Sequence, residues 1–528
     1  MRCWFYDVCG LFMIEQFSQF FTILVDLITQ PSNLLLVFGA SFIGIIFGAM
    51  PGLTATLGIA LLTSLTYGFG ADVALLALLG LYVGAIYGGS YPAILINIPG
   101  TPAAAATALD GYPLTQKGQG GRALGLTTTA SFIGTIIGLL FLVTLSPFIA
   151  SMALQFTSWE FFLLALFGIV ISGTLTSSDL VIKGWIAGLI GLFLATIGRD
   201  SLQYFPRYTF GQSELDAGLE IVPVLIGAFG IPQVIRVLSE RKALIKSPEI
   251  NRVLPELSTL VRNFKHIFRS STIGVGVGSV PGIGEDIAGW VSYSTAKSSS
   301  TPEEKKAFGQ GSEIGIVSSE TANNACIGGA LIPLLTLGIP GSPPAAMLLG
   351  ALLLHGITPG PSIEIDHPNF LLEITAIMVL ASFAMWANGM LLAKQVVKLL
   401  TVPTALFIPV VGVLCVLGGY SLGLSIFNLY ILVPVGIAAY FLSEMKFPIA
   451  PMVIGLVLGG MADESLRRAL MLSDGSFIPM FDRPVALCLI LFISYFVLTQ
   501  ITCIKQVTDG FWRIIFSPFK KLRKREKA

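Results

Sequence analysis

Long apolar stretches alternate with short polar ones along almost the whole chain. Leu34–Met50, Ala123–Ile149, Phe161–Ser177, Phe370–Leu392, Leu406–Leu424, Leu429–Leu442 and Val485–Cys503 each carry at most one charged residue. At about 1.5 Å of rise per residue, helices of this length approach or exceed the ~30 Å of a bilayer's hydrocarbon core. The pattern predicts an all-α polytopic membrane protein whose outer faces meet a lipid bilayer. Two places interrupt the rhythm in the same way. LINIPGTPAAAAT (95–107) and TLGIPGSPPAAM (336–347) each stop an apolar run at Pro-Gly and restart it at once. In each, a hydroxyl residue (Thr101, Ser342) stands where a helix N-cap belongs, and a proline follows at the first helical position.

The two interruptions belong to a longer duplication. GIIFGAMPGL (44–53) and GVGVGSVPGI (274–283) share the pattern G-x3-G-x2-P-G plus an aliphatic residue. Further on, GGSYPAILINIPGT (88–101) and GGALIPLLTLGIPGS (328–342) share a Gly-Gly pair, an apolar segment, Ile-Pro-Gly and a hydroxyl residue. Pro51 and Pro281 are 230 positions apart, Pro99 and Pro340 are 241, and the polar insert 295–311 accommodates the difference. Two motifs recurring in the same order point to internal duplication. The chain then divides into an N-terminal amphipathic segment (1–30), a first transmembrane repeat (31–235), a basic linker (236–270), a second repeat (271–503) and a basic tail (504–528).

Charge sets the expected orientation. The linker holds eight Lys/Arg against three Glu, and the tail ends FKKLRKREKA, so both are expected on the cytoplasmic side. With an outward N-terminus the two repeats are inverted. Only 12% of the residues are charged, against about 25% in soluble domains. The net charge of +1 gives no reason to expect a nucleic-acid partner. Six cysteines (3, 9, 326, 415, 488, 503) show no zinc or redox spacing, and the three histidines (266, 355, 367) form no ligand cluster. No Walker, HExxH, GxSxG or CxxC motif is present, so no cofactor is expected and enzymatic chemistry is not indicated. The N-terminus shows no clear cleavage site, and Phe12–Leu27 reads as an interfacial helix.

What are the interruptions for? Gly89 to Ile98 is ten residues, about 15 Å as helix, or half a bilayer. The sequence therefore predicts a re-entrant hairpin in each repeat, near 88–111 and near 328–356, with Asp110-Gly111 ending the first. Free backbone groups at membrane depth are tolerated only inside protein or beside a water-filled cavity. Paired interruptions in two halves point to a transporter's binding site. A helix N-terminus, with unpaired N–H groups and partial positive charge, suits an anion. The candidate substrate-binding residues are Asn97, Pro99, Gly100, Thr101, Asn323, Asn324, Gly338, Pro340, Gly341 and Ser342. The polar stretch 312–329 is either an exposed approach loop or part of the site. Ser90, Glu285, Asp286, Glu320 and Thr336 are the candidates for handling a coupling ion, sodium or proton. Glu285 and Asp286 can instead cap a helix. Lys117 and Arg122 read as an interfacial loop, and Arg467-Arg468 as facing headgroups.

Several stretches together resemble one family, the large integral membrane subunit of bacterial tripartite tricarboxylate transporters. They are GAMPGLTATLGIALL, YVGAIYGGSYPAILINIPGTPAAAATALDGYPLTQKGQGGRALG, SVPGIGEDIAGWVSY, SETANNACIGGALIPLLTLGIPGSPPAAMLLGALLLHGITPGP and GGMADESLRRALMLSDGSFIPMFDRP, spread over about residues 35–500. The resemblance implies an ion-gradient-driven importer of carboxylates in the bacterial inner membrane. It implies a small membrane partner of roughly four spans and a periplasmic solute-binding protein. It further suggests an elevator-type architecture. A channel built on re-entrant hairpins and an intramembrane enzyme are the competing classes. The built-in pseudo-symmetry disfavours the first, and the lack of a nucleophile–base or metal set disfavours the second.

Overall fold

In the computed structural model, the described residues are 2–50, 52–177, 180–239, 253, 257–400, 402, 406, 408–421 and 423–500. Pro51, residues 240–252 and 254–256 of the basic linker, and the basic tail lie outside them. Among the described residues, eight helices are long and apolar enough to cross a membrane. The chain divides into two compact units, Met1–Gln155 with Thr209–Met445, and Phe156–Tyr208 with Lys446–Ala528.

The first unit carries both interruptions. Ala71–Gly88 and Ser90–Ile96 form one nearly continuous apolar helix, because Gly89 keeps right-handed helical angles (φ −58°, ψ −21°). We refer to it as the first long helix. The Glu313–Leu337 helix is its second counterpart. Each ends in a residue with left-handed angles, Asn97 (φ 58°) and Gly338 (φ 71°). The chain then doubles back and starts a shorter restart helix. The first is a 3-10 turn at Pro102–Ala104 running into Ala105–Gln116. The second is Pro343–Leu354.

This differs from the hairpins predicted near 88–111 and 328–356. The arm entering each break is not a ten-residue half-span but a helix of 25 or 26 residues, about 37–39 Å long. The glycine pairs at 88–89 and 328–329 do not begin a short arm but serve packing. A Cβ on Gly88 would collide with the Ile45 carbonyl oxygen, and one on Gly329 with that of Val275. Nor does Asp110-Gly111 end the first restart helix, which continues to Gln116.

Two pairs of helices pack beside the long helices, Pro31–Ala49 with Ala55–Thr66 and Phe264–Gly278 with Glu285–Ser299. Their small residues allow backbone-to-backbone approach. A Cβ on Gly44 or Gly48 would strike the carbonyl oxygens of Leu81 and Ala85. One on Gly274 or Gly278 would strike those of Ala322 and Cys326. The Gly120–Ala153 helix packs on the second long helix, with Gly134 at Thr321 and Gly138 at Ala325. The Phe370–Leu391 helix packs on the first. There the Tyr91 hydroxyl donates to the Gly389 carbonyl at 2.9 Å. The N-terminal helix, Arg2–Thr29, buries none of its residues from 16 onward.

The second unit comprises Ser158–Thr176, Val181–Leu194, Ile449–Leu472, Pro484–Thr499 and an antiparallel pairing of Gly198–Arg199 with Pro206–Arg207. Arg467 belongs to this unit's internal structure. It ion-pairs with the fully buried Asp200, whose Oδ1 also accepts from the Leu202 and Gln203 amides at 2.8 and 2.7 Å. Arg207 joins through Asp463 at 2.8 Å. Arg468, more exposed, pairs with Glu464 one turn away on its own helix.

Candidate functional site

The stretch SEIGIVSSETANNACIGG is not an approach loop. From Glu313 onward it is the N-terminal half of the second long helix, and positions 318–329 are all buried. A run of Ser, Glu, Thr and Asn in the interior must find partners or bind something.

Glu320 finds three hydroxyls. Ser90 Oγ, from the first long helix, donates to its Oε1 at 2.7 Å. Thr107 Oγ1, from the first restart helix, donates to the same oxygen. Ser131 Oγ, from Gly120–Ala153, donates to Oε2 at 3.1 Å. Asn324 supports the group, its Nδ2 donating to Ser131 Oγ at 2.8 Å and to the Glu320 carbonyl at 3.1 Å. The carboxyl group is thus held by hydroxyls from three helices.

A second cluster stands at the second break. Ser342 Oγ accepts from the Ala345 amide at 3.3 Å, the N-cap bond its position predicted. It also donates to Glu285 Oε1 at 3.2 Å. Tyr82 OH, from the first long helix, donates to that same carboxylate oxygen. All three side chains are buried. Glu285 is the first residue of the Glu285–Ser299 helix, so its carboxylate lies between two helix N-termini.

The first break is different. Thr101 is buried in extended conformation and caps nothing, and its Oγ1 has no hydrogen-bond partner. Asn323 is fully buried, and neither its Oδ1 nor its Nδ2 has a partner. Thr107 Oγ1 lies 3.0 Å from Ser319 Oγ, and Gly315 abuts Asp110. The first restart helix and the second long helix therefore run antiparallel. One turn back from Thr107 and one turn on from Ser319, Asn323 faces the start of the restart helix. The orphaned groups are gathered at one helix N-terminus.

Gly100 and Gly341 are required for a reason other than turn geometry. Neither has a positive φ. A Cβ on Gly100 would collide with the Gly48 carbonyl oxygen, and one on Gly341 with that of Gly278. The close approach of each break to the neighbouring Gly-x3-Gly helix is what demands glycine.

Other candidates stand apart. Asn97 is exposed at the C-cap, and Pro99 is half-buried. Gly338 and Pro340 shape the second turn. Asp286 is exposed and outside both clusters. Thr336 donates to the Ile332 carbonyl at 2.7 Å and lines a separate cavity of about 310 Å³ with Ser146 and Phe370. Among the described residues, no group of three or more His, Cys, Asp or Glu could hold a metal ion.

Tyr82, Thr107 and Ser131 were not legible as site residues. Their one signal is a hydroxyl within an otherwise apolar helix, which many core residues share. In the sequence Asp110 reads only as a helix end. It is fully buried, and its Oδ1 accepts from the amides of Gly309, Gly311 and Ser312 at 2.7, 3.0 and 2.8 Å. Its Oδ2 accepts from Tyr293 OH at 2.9 Å. Lys117 and Arg122 join the same region, Lys117 Nζ donating to the Gln310 carbonyl at 2.6 Å and Arg122 pairing with Glu313.

The family model described as the tripartite tricarboxylate transporter TctA family matches residues 34–454, which include both breaks and every residue of the two clusters. The chain belongs to the TctA family. An uncharacterised 52.8 kDa protein in the 3′ region of ttuC′ in TAR-I of Agrobacterium vitis is 36% identical over 465 residues. That match covers 87% of this chain and 91% of the relative. A second uncharacterised Agrobacterium vitis protein, from the TAR-II ttuC′ 3′ region, is 36% identical over 215 residues, covering 40% of this chain and 88% of its own length. No solved structure matches the chain. As a TctA-family protein it is the large subunit of a tripartite transporter, and with its apolar helices it is a multi-pass membrane protein.

Proposed function

We propose that this TctA-family subunit imports tricarboxylates or related carboxylates, driven by a sodium or proton gradient, and that a substrate carboxylate binds at the first break. The observation that carries this concerns Thr101 Oγ1 and the Asn323 side-chain amide together. Both are buried without partners at a helix N-terminus inside the protein. Leaving such groups unsatisfied costs about 1–3 kcal/mol each, a cost that a bound carboxylate would remove for the Thr101 hydroxyl and for Asn323 Nδ2. A hydroxyl and an amide N–H donate to carboxylate oxygens, and the N-terminus adds partial positive charge.

Glu320 is the proposed coupling group. Its carboxyl is held by neutral hydroxyls alone, an arrangement that suits a carried proton or an adjoining sodium ion. The two halves are proposed to be inverted repeats. Supporting this, Gly48 to Ala85 and Gly100 recurs as Gly278 to Cys326 and Gly341, and the first restart helix runs antiparallel to the second long helix. An elevator movement, inner-membrane placement, cytoplasmic linker and tail, a small membrane partner and a periplasmic solute-binding protein complete the reading. The test is citrate uptake by the reconstituted three-component system. Thr101→Val and Asn323→Ala should each raise the substrate concentration needed for half-maximal uptake, by roughly tenfold for a lost hydrogen bond to a charged group. Unchanged uptake by both would reject this site.

A further inference from the structure

The two breaks share a plan but not a content. Tyr82 plus 241 is Asn323, Ser342 minus 241 is Thr101, and Glu285 minus 230 is Ala55, using the offsets of the two repeated motifs. Ala55 is the first residue of the Ala55–Thr66 helix, as Glu285 is of Glu285–Ser299. At the second break the trio Tyr82, Glu285 and Ser342 is fully hydrogen-bonded around a carboxylate. At the first, the carboxylate position is alanine, and the remaining two members, Thr101 and Asn323, are the ones left without partners.

We propose that Glu285 is a tethered carboxylate that permanently fills the anion place of the second break, so that the substrate's carboxylate binds at the first break alone. The inference rests on the functional reading above and deepens it. The protein's own side chain shows what the place accepts: one carboxylate oxygen taking two hydroxyl hydrogens beside a helix N-terminus. Where the chain supplies that group, no second substrate carboxylate can enter. Where it supplies a methyl, the place awaits one. Specificity follows, because a substrate is recognised through one anchored carboxylate rather than through a symmetric pair.

Two arms test this on the full-length protein in detergent, read by thermal unfolding. In the first, Glu285→Ala is titrated with formate, the smallest carboxylate. Formate should raise its unfolding temperature by several degrees more than that of wild type or Glu285→Gln, in which only the first break is open to it. An equal response in all three, or none in Glu285→Ala, would overturn the inference. In the second, which does not depend on Glu285→Ala folding, a carboxylate is placed in the first break. Ala55→Glu should weaken citrate binding at least about tenfold more than Ala55→Gln, which adds the same bulk without charge. Equal losses would show that bulk alone excludes citrate, and would overturn it. Because the formate arm uses no substrate, failure of the functional reading (no citrate effect on wild type) is told apart from failure of this one.

Discussion

Ser90 and Glu320 lie 230 positions apart in the chain, and the hydroxyl of one donates to the carboxylate of the other at 2.7 Å. Each comes from one of the two long helices that lead into the breaks, so the two halves are joined through a group able to gain or lose a proton. Glu320→Gln keeps the size and one acceptor oxygen but cannot ionise. Gradient-driven citrate accumulation by Glu320→Gln should fall to background, while citrate exchange across vesicles without a gradient persists. Normal accumulation would remove Glu320 from the coupling step.

The collisions at the breaks make a steric prediction. Gly100→Ala and Gly341→Ala each push a methyl into a carbonyl oxygen of the neighbouring helix. Overpacking of this kind costs about 1–3 kcal/mol. Both variants should unfold at lower temperature in detergent and transport poorly. Gly39→Ala is the control, since nothing lies within 4 Å of its added Cβ. Equal behaviour of all three would mean that the breaks have room to spare.

Asp110 ties the first restart helix to the loop before the second long helix. Asp110→Ala strands three buried or half-buried amides and the Tyr293 hydroxyl, and should cost about 3 kcal/mol or more. Asp110→Asn keeps an oxygen for the amides, and its Nδ2 can donate to Tyr293. It should therefore be much milder. Protease cutting within 300–312 reports the difference. Equal cutting in both variants would show that the knot does not hold this loop.

In the second unit, Arg467 and Arg468 are adjacent but not equivalent. Arg467→Ala removes the nearer of two guanidinium groups on the buried Asp200 carboxylate and leaves Arg207 at 3.7 Å, so the loss should fall at or below the low end of the roughly 3–5 kcal/mol of a broken buried pair. Arg468→Ala removes an exposed pair within one helix, at about 0–1 kcal/mol. The unfolding temperatures should separate accordingly, and a reversed order would mean that Arg207 alone suffices to hold Asp200.

Orientation is open to direct labelling. Single cysteines at Lys246 and Lys524, in a cysteine-free background, should react only with reagents that reach the cytoplasm. Labelling of either from the periplasm of intact cells would reject the proposed orientation.

The apolar runs were readable because a bilayer imposes length and composition together, and most of them became helices within a few residues of their predicted ends. The Pro-Gly breaks were readable because proline lacks an amide hydrogen and cannot continue a helix. The length of the helices entering them was not. Glycine permits either a turn or a close helical contact, and Gly88-Gly89 could be resolved only by the presence of Ile45 and its helix. Thr101 and Ser342 look alike in sequence, yet only Ser342 caps its helix. The difference follows from Glu285 and from the 3-10 start after Thr101, and neither is local to the motif. Tyr82 and Ser131 escaped notice because a buried hydroxyl acquires meaning only from what lies across from it.

The most direct measurement is a cryo-electron microscopy structure of the assembled transporter in saturating citrate. Binding at the first break requires a citrate carboxylate within roughly 3.2 Å of Thr101 Oγ1 and the Asn323 side chain, with Glu285 still bonded to Tyr82 and Ser342. Citrate bound elsewhere while Thr101 and Asn323 stay unpartnered, or citrate at Ser342 with Glu285 displaced, would contradict it.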